Sequence, residues 1–166
     1  ADPAHTELLR RLEADIAAVK IDGKDVPVKL RVYDSLFVPM AKWSMLLTGN
    51  YRCVEGDGVR AIRDAVHSDL DSSTQMYGWV DALARQLGAD PADQVPFEKY
   101  ANAATGLLKP SSAARAIDSG VDRIERVDRL VQMIGRGLGL QNQQLDEIVA
   151  IVDARLAANS NFNKVV

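Results

Sequence analysis

The longest strongly apolar run of the chain, residues 35–51 (SLFVPMAKWSMLLTGNY), contains one charged side chain, Lys42. The run is too short, and too interrupted by Pro39, Gly49 and polar groups, to cross a bilayer, so its apolar side chains must be buried against the rest of the protein. Proline suits the first turn of a helix, and Gly49 followed by Asn50 is typical of a helix end. The run therefore predicts a central core helix around which the chain packs.

Lys42 is open to two interpretations. On a helix, Lys42 and Asn50 are separated by a little over two turns and project from roughly the same face. Lys42 either lays its methylene groups on apolar surface with its ammonium in water, or borders a cleft and serves an anionic or carbonyl-bearing ligand. The residues alone leave both interpretations open.

Composition excludes several classes of protein. The chain has 166 residues, 47% of them hydrophobic and 26% charged, which is typical of one soluble globular domain. Its 20 basic residues do not exceed its 23 acidic residues, so nucleic acid is not an expected partner. The chain has one cysteine, Cys53, which excludes an intramolecular disulfide framework. The sequence also contains no signal peptide and no membrane-spanning run, so we expect a cytoplasmic protein. The first residue is Ala1 rather than methionine, which fits either a fragment or a processed product.

The N-terminal part of the chain predicts one helix followed by an extended segment. Apolar residues recur at helical spacing over residues 5–19, with Thr6 as a candidate N-cap. Residues 19–32 alternate between apolar and polar around Asp22-Gly23, a dipeptide that suits a tight turn. We therefore expect a short β-hairpin or an extended segment there.

The remaining residues predict an all-α protein. Helical periodicity indicates helices over 59–70, 75–87, 97–108, 121–138 and 145–156, a break over 69–74, and a short helical turn over 111–118. The predicted architecture is a multi-helix bundle in one domain, with an N-terminal helix and hairpin or linker (1–33), a helical core (34–158) and a frayed tail (159–166).

Two familiar kinds of site are not predicted. One predicted helix ends at three glycines, Gly135, Gly137 and Gly139. A dinucleotide-binding loop instead lies after a strand and before a helix, so these glycines do not match one. His5 and His67 have no partner at metal-ligand spacing, so no metal site is expected.

A serine pair, Ser111-Ser112, follows Pro110. A serine hydroxyl at this position can cap the next helical turn by accepting a hydrogen bond from a free backbone N–H. Alternatively, the hydroxyl and nearby N–H groups can hold a carboxylate. Both interpretations stay open.

Three short motifs follow one another along the chain and together resemble a known family. They are a lysine-bearing helix that ends in asparagine (Lys42-Trp43 to Asn50), a serine pair followed by Asp-x-Gly (Ser111, Ser112, Asp118, Gly120), and the segment IERVD (124–128) ahead of GRGLGL. This order resembles the C-terminal helical domain of ketopantoate reductases (2-dehydropantoate 2-reductases), over roughly residues 39–156.

The resemblance implies a helical bundle like the C-terminal domain of 6-phosphogluconate dehydrogenase and a half-enzyme that binds substrate and dimerises. Lys42 would be the general acid that protonates the carbonyl oxygen of a 2-keto acid while NADPH delivers hydride. Asn50, Ser112 and Glu125 would hold the substrate's hydroxyl and carboxylate. The family usually has a second asparagine one turn after the lysine, and this chain has Leu46 there.

These residues contain no glycine-rich strand–turn–helix unit for NADPH. The resemblance therefore implies that an N-terminal dinucleotide-binding domain, missing from this chain, binds NADPH, and that this chain alone is inactive. The alternative is a non-enzymatic helical domain, in which the apolar faces of residues 121–138 and 145–156 pack in a homodimer or against a partner protein.

Overall fold

The computed structural model describes residues 2–163, which are mostly helical, so the predicted all-α class is confirmed. In chain order the helices are α1 (Pro3–Ala18), α2 (Phe37–Met40), α3 (Lys42–Met45), α4 (Ile62–His67), α5 (Leu70–Gln86), α6 (Phe97–Ala104), α7 (Ser112–Asp118), α8 (Val127–Gly137) and α9 (Gln143–Asn163). The chain divides into two compact units, Ala1–Leu36 and Phe37–Val166. The sequence indicated one domain, in which the N-terminal helix and hairpin or linker end at residue 33. Within residues 2–163, no helix is both long enough and apolar enough to cross a bilayer.

The first unit holds α1 and a small hairpin. The N-cap of α1 is Asp2, whose carboxylate accepts a hydrogen bond from the Ala4 N–H at 2.9 Å, so the prediction of Thr6 as N-cap was wrong. The cause is Pro3, which fits the first helical position, so the helix starts nearer to the N-terminus than predicted.

The predicted hairpin is present but shorter than residues 19–32. Strands β1 (Lys20–Ile21) and β2 (Lys24–Asp25) pair antiparallel. Between them Asp22 and Gly23 have φ angles of 52° and 74°, the left-handed conformation that a two-residue turn requires.

The central apolar segment of the second unit is a chain of short helical pieces rather than one helix. After α2 and α3 come a π-turn, Leu46–Asn50, and a 3₁₀ turn, Tyr51–Cys53. The predicted helix end at Gly49 and Asn50 was therefore wrong, because helical hydrogen bonding continues through both residues. The prediction of central burial is confirmed, since Leu47, Tyr51 and Cys53 belong to the main hydrophobic core.

Gly49 is required by a close approach rather than by a helix end. A Cβ atom at this position would overlap the hydroxyl of Tyr100 on α6. That hydroxyl donates a hydrogen bond to the carbonyl oxygen of Met45 at 3.1 Å. The absent side chain thus lets α6 pack directly on the central segment.

Helix α5 begins earlier than the sequence indicated. Asp69 is its N-cap, with its carboxylate accepting from the Ser72 N–H at 2.9 Å. The predicted break over 69–74 was wrong because Asp69 starts this helix. Helix α4 ends just before, at His67.

The two C-terminal helices also differ from their predicted bounds. Residues 121–126 are not helical, and α8 begins only at Val127. Helix α9 continues to Asn163, so a frayed tail from residue 159 was wrong, and residues 164–166 lie outside the described part. The side-chain amide of Asn159 donates to the carbonyl oxygens of Ile117 and Val121 at 2.8 and 2.9 Å, which holds this end of α9 in place.

The apolar faces of α8 and α9 form part of the chain's own core. Val131 of α8 and Leu145, Val149 and Val152 of α9 are all buried in the main cluster. These four residues belong to the apolar faces from which the sequence suggested a dimer, and their burial makes them unavailable to a second copy.

Ser44 connects α3 to α5. Its buried hydroxyl donates to a carboxylate oxygen of Asp81 at 2.5 Å. Burial raises the pKa of Asp81, whereas the hydrogen bond from Ser44 and the charge of Arg85 act in the opposite direction. The protonated carboxyl group therefore favours the folded state.

The substitution Gly49→Ala should lower the free energy of unfolding by about 1–3 kcal/mol, because the new methyl group overlaps the Tyr100 hydroxyl. Tyr100→Phe should cost about 1 kcal/mol for the lost hydrogen bond. In the double variant the overlap is gone, so its loss should be clearly smaller than the sum of the two single losses. Urea denaturation of all four proteins measures this, and additive losses would contradict the close approach.

The pKa of Asp81 gives a pH-dependent stability. Its folded-state pKa lies above the ordinary value of 3.8, so its favourable contribution is complete below that value and is lost as the pH rises through the raised pKa. Asp81→Asn should remove this pH-dependent loss of stability. As the pH rises from 3.8 through the raised pKa, the unfolding free energy of the variant should therefore increase relative to that of the wild type. Ser44→Ala should make the dependence of the wild type steeper, since it removes the bond that lowers the pKa. Parallel pH profiles for the three proteins would refute this account.

Candidate functional site

A cavity of ≈ 310 Å³ brings together three side chains from distant parts of the sequence. Asn50 ends the π-turn, Ser112 begins α7, and Glu125 lies in the segment before α8. Ser112 and Glu125 are exposed and Asn50 is half-buried, so all three polar groups are accessible from the cavity. The cavity therefore combines an amide, a hydroxyl and a carboxylate.

Apolar side chains line the rest of this cavity. Leu46 of the π-turn, Ile124, and Val127 at the start of α8 contribute to its wall. An arrangement of a few polar groups on an apolar wall is typical of sites for small organic molecules.

Ser111 links the π-turn to α7. Its hydroxyl donates to the carbonyl oxygen of Asn50 at 2.8 Å and accepts from the Ala114 N–H at 3.1 Å. The second bond is the N-cap of α7. The capping role predicted for the serine pair is therefore confirmed for Ser111, and Ser112 lines the cavity beside Asn50.

Tyr51 holds the segment that carries Glu125. Its hydroxyl donates to the carbonyl oxygen of Glu125 at 2.6 Å and accepts from the Val127 N–H at 3.0 Å. Burial raises the pKa of Tyr51, although the hydrogen bond from Val127 acts against this, so the hydroxyl stays neutral and able to donate. One buried phenol thus fixes the backbone on both sides of residue 126.

Arg126 holds the same segment from the other direction. Its guanidinium donates two hydrogen bonds to the fully buried carboxylate of Asp128, at 2.9 and 2.7 Å, and a third to Asp153 of α9 at 2.5 Å. Burial alone would lower the pKa of Arg126, but these bonds raise it. The guanidinium remains charged, and the start of α8 is fixed to α9.

Lys42 does not line the cavity. It is exposed, and its ammonium group makes no hydrogen bond or ion pair within residues 2–163. It lies on α3, one turn before Leu46, which does line the cavity. The structure thus brings three of the four expected site residues together and leaves the lysine one turn away.

The π-turn changes the relation between Lys42 and Asn50. In an α-helix, residues eight apart are rotated by about 80° from each other. A π-turn accommodates one extra residue, and here the Tyr51 N–H bonds to the carbonyl oxygen of Leu46, five residues back. The rotation between Lys42 and Asn50 falls to about 20° on this count, so the two residues share a helical face more closely than the sequence indicated.

Sequence reasoning missed Tyr51 as a residue that builds the cavity, whereas it did name the pair Ser111-Ser112 as a possible helix cap. The serine carried a usable signal, because serine after proline is a frequent N-cap. The tyrosine carried none, since its two hydrogen-bond partners are more than seventy residues away in the chain.

No protein-family model matches this chain, and comparison with curated proteins and with solved structures gave no significant match. In residues 2–163, no group of three or more histidine, cysteine, aspartate or glutamate side chains is arranged to hold a metal ion. Function must therefore be argued from the cavity and from the motifs that line it.

Tyr51→Phe should lower the free energy of unfolding by about 1–2 kcal/mol, because it leaves the Val127 N–H and the Glu125 carbonyl without their shared partner. The same change should accelerate hydrogen exchange of the Val127 amide by more than that of amides in α9. Tyr33→Phe, at an exposed tyrosine, is the matched control. Unchanged exchange at Val127 would mean that the phenol does not hold this segment.

Proposed function

We propose that this chain is the substrate-binding half of an NADPH-dependent 2-keto acid reductase similar to ketopantoate reductase. The observation that carries the proposal is the convergence of Asn50, Ser112 and Glu125 on one cavity. These are three of the residues that the family resemblance implies for substrate binding, and they come from three separate motifs.

The chemistry of the cavity suits a small 2-keto acid. The Asn50 amide and the Ser112 hydroxyl can donate hydrogen bonds to a carboxylate or a keto oxygen. The Glu125 carboxylate can accept a hydrogen bond from a substrate hydroxyl. Leu46 adds an apolar contact where the family usually has an asparagine amide, which favours a substrate with an alkyl group at that point.

Lys42 takes the role of general acid in this proposal. A lysine ammonium can give its proton to the keto oxygen as hydride arrives at the carbon, and its charge stabilises the developing alkoxide. It lies four residues before Leu46, a distance of about 6 Å along the axis, and its flexible four-carbon stem can cover that distance.

NADPH is assigned to a dinucleotide-binding domain outside this chain. The residues described here are helices with a two-stranded hairpin, and they contain no glycine-rich loop between a strand and a helix. The contribution of this chain is to bind and orient the acid and to supply a proton.

A non-enzymatic homodimerisation or protein-interaction domain is the second candidate. One observation favours it: Leu130, Met133 and Leu138 of the α8 region are 45%, 69% and 44% exposed. These side chains are free to contact a second copy. Leu138 belongs to the periodic apolar face of residues 121–138, whereas Leu130 and Met133 lie outside it. Sedimentation equilibrium of the wild type and of Met133→Lys distinguishes a dimer through this surface from a monomer.

The proposal predicts that 2-keto acids bind at the cavity. Titration with ketopantoate, 2-oxoisovalerate and pyruvate should shift the backbone amide resonances of residues 50, 112 and 125 for at least one of them. Ser112→Ala should weaken that binding about tenfold, or about 1.4 kcal/mol. Glu125→Gln should have the same effect on ketopantoate alone, because only ketopantoate has a hydroxyl that can donate to Glu125. Ser119→Ala and Glu98→Gln make the same chemical changes on exposed surface away from the cavity and should leave binding unchanged.

The proposal would be refuted if saturating concentrations of all three 2-keto acids left the amide resonances of residues 50, 112 and 125 unshifted. The role of Lys42 needs a separate assay, NADPH oxidation by a protein that carries both halves. Lys42→Met should lower kcat by far more than tenfold, and a smaller loss would be too little for a general acid.

A further inference from the structure

A second cavity of ≈ 160 Å³ lies in the same unit and shares no lining residue with the first. Its polar lining consists of Arg52, Arg60, Ser72, Gln144 and Glu147. Val54, Ile148 and Ile151 form the apolar part of its wall. Two guanidinium groups therefore border a cavity smaller than the candidate substrate site.

Arg52 is half-buried without an opposite charge in contact with it. Its guanidinium donates to the Ser73 hydroxyl at 2.6 Å and reaches the Ser72 hydroxyl at 3.5 Å. It forms no ion pair with any carboxylate in residues 2–163. Removing a charge from water without pairing it costs free energy, so this arrangement is unusual for a purely structural arginine.

Arg60 brings a second positive charge to the same place. Its Nε donates to the carbonyl oxygen of Arg52 at 2.9 Å. Burial lowers the pKa of Arg52, the charge of Arg60 lowers it further, and Asp69 offsets part of this. The cavity thus holds two like charges in close proximity, one of them partly desolvated.

Three acidic groups lie near the two arginines. Glu55 lies 3.7 Å from Arg60 as a partly exposed ion pair. Asp69 is engaged as the N-cap of α5. Glu147 is the one carboxylate that lines the cavity, and it is exposed and accepts a hydrogen bond from Gln143 at 2.9 Å.

Two long helices begin at this cavity. Ser72 lies in the first turn of α5, and Gln144 lies in the first turn of α9. The first turn of a helix carries free N–H groups and the positive end of the helix dipole. The Ser72 N–H already donates to Asp69 and the Leu145 N–H to Asn142, so these first turns contribute the Ser72 hydroxyl and the Gln144 side-chain amide as donors.

We propose that this cavity binds a small oxyanion, a phosphate or phosphate-monoester group, between the guanidinium groups of Arg52 and Arg60 and the first turns of α5 and α9. Guanidinium groups match phosphate oxygens with paired hydrogen bonds, and the Ser72 hydroxyl supplies a further donor. An anion in the cavity supplies the ion-pair partner that Arg52 lacks within residues 2–163. The proposal is independent of the function assigned to the first cavity.

Inorganic phosphate is the first probe, titrated at constant ionic strength against chloride and followed by ¹⁵N resonances. Phosphate should shift the backbone amides of residues 72, 73 and 144 and the Nε–H signals of Arg52 and Arg60, where chloride does not. Glycerol 3-phosphate is the second probe. Tighter binding of the ester assigns the site to a phosphorylated metabolite, and equal or weaker binding assigns it to the free anion. Failure of both probes to shift these signals overturns the proposal.

Variants localise the binding. Arg60→Gln should weaken phosphate binding at least tenfold, whereas Arg63→Gln, which removes an exposed arginine paired with Asp64, should leave it unchanged. Glu147→Gln should tighten binding, because it removes the one negative charge that lines the cavity. This last variant leaves both arginines and their structural bonds intact. Equal effects of the two arginine variants, or no change in Glu147→Gln, would overturn the site.

Discussion

The second unit depends on four consecutive residues of its central segment, each of which contacts a different part of the fold. Gly49 admits the Tyr100 hydroxyl of α6, and the Asn50 carbonyl accepts the Ser111 hydroxyl that caps α7. The Tyr51 hydroxyl bonds to the backbone before α8, and Arg52 donates to Ser73 of α5. Hydrogen bonds in a buried setting are costly to leave unmade, so these contacts fix the positions of four helices relative to one backbone stretch.

The π-turn makes this density of contacts possible. In a regular α-helix, side chains of consecutive residues point about 100° apart, and carbonyl groups are used within the helix. The wider turn at Leu46–Asn50 shifts the hydrogen-bonding register and leaves the Thr48 hydroxyl buried with no partner among residues 2–163. Such turns are found frequently at functional sites, and here the turn contributes Leu46 and Asn50 to the wall of the candidate cavity.

The sequence predicted the burial of the central segment and most helices correctly, and its errors have identifiable causes. Gly49 was interpreted as a helix end because glycine serves that purpose often, but its role is set by Tyr100, which no local pattern reveals. Residues 121–126 continued the apolar spacing of α8, yet Ile124 packs against the core without a helix. The spacing of apolar residues indicates which side chains are buried, but it does not require a helix. A non-helical segment held by long-range hydrogen bonds can bury the same residues.

The site was predictable only through the resemblance of short motifs. Periodicity placed Asn50, Ser112 and Glu125 on three separate elements and gave no reason for them to meet. Their meeting depends on Ser111 and Tyr51, whose bonds join positions sixty or more residues apart.

The extra residue of the π-turn has a consequence for how this chain can change over evolution. Deleting one residue between Leu46 and Arg52 would move each following side chain to its neighbour's position, so the glycine, the carbonyl, the phenol and the guanidinium would all face the wrong partners. Length variation is more tolerable at Gly56 and Asp57, the exposed tip of the next turn, because Arg155 contacts only the flanking carbonyl oxygens of Glu55 and Gly58. We therefore expect relatives of this protein to vary in length at that turn and to keep the residue count of the central segment unchanged.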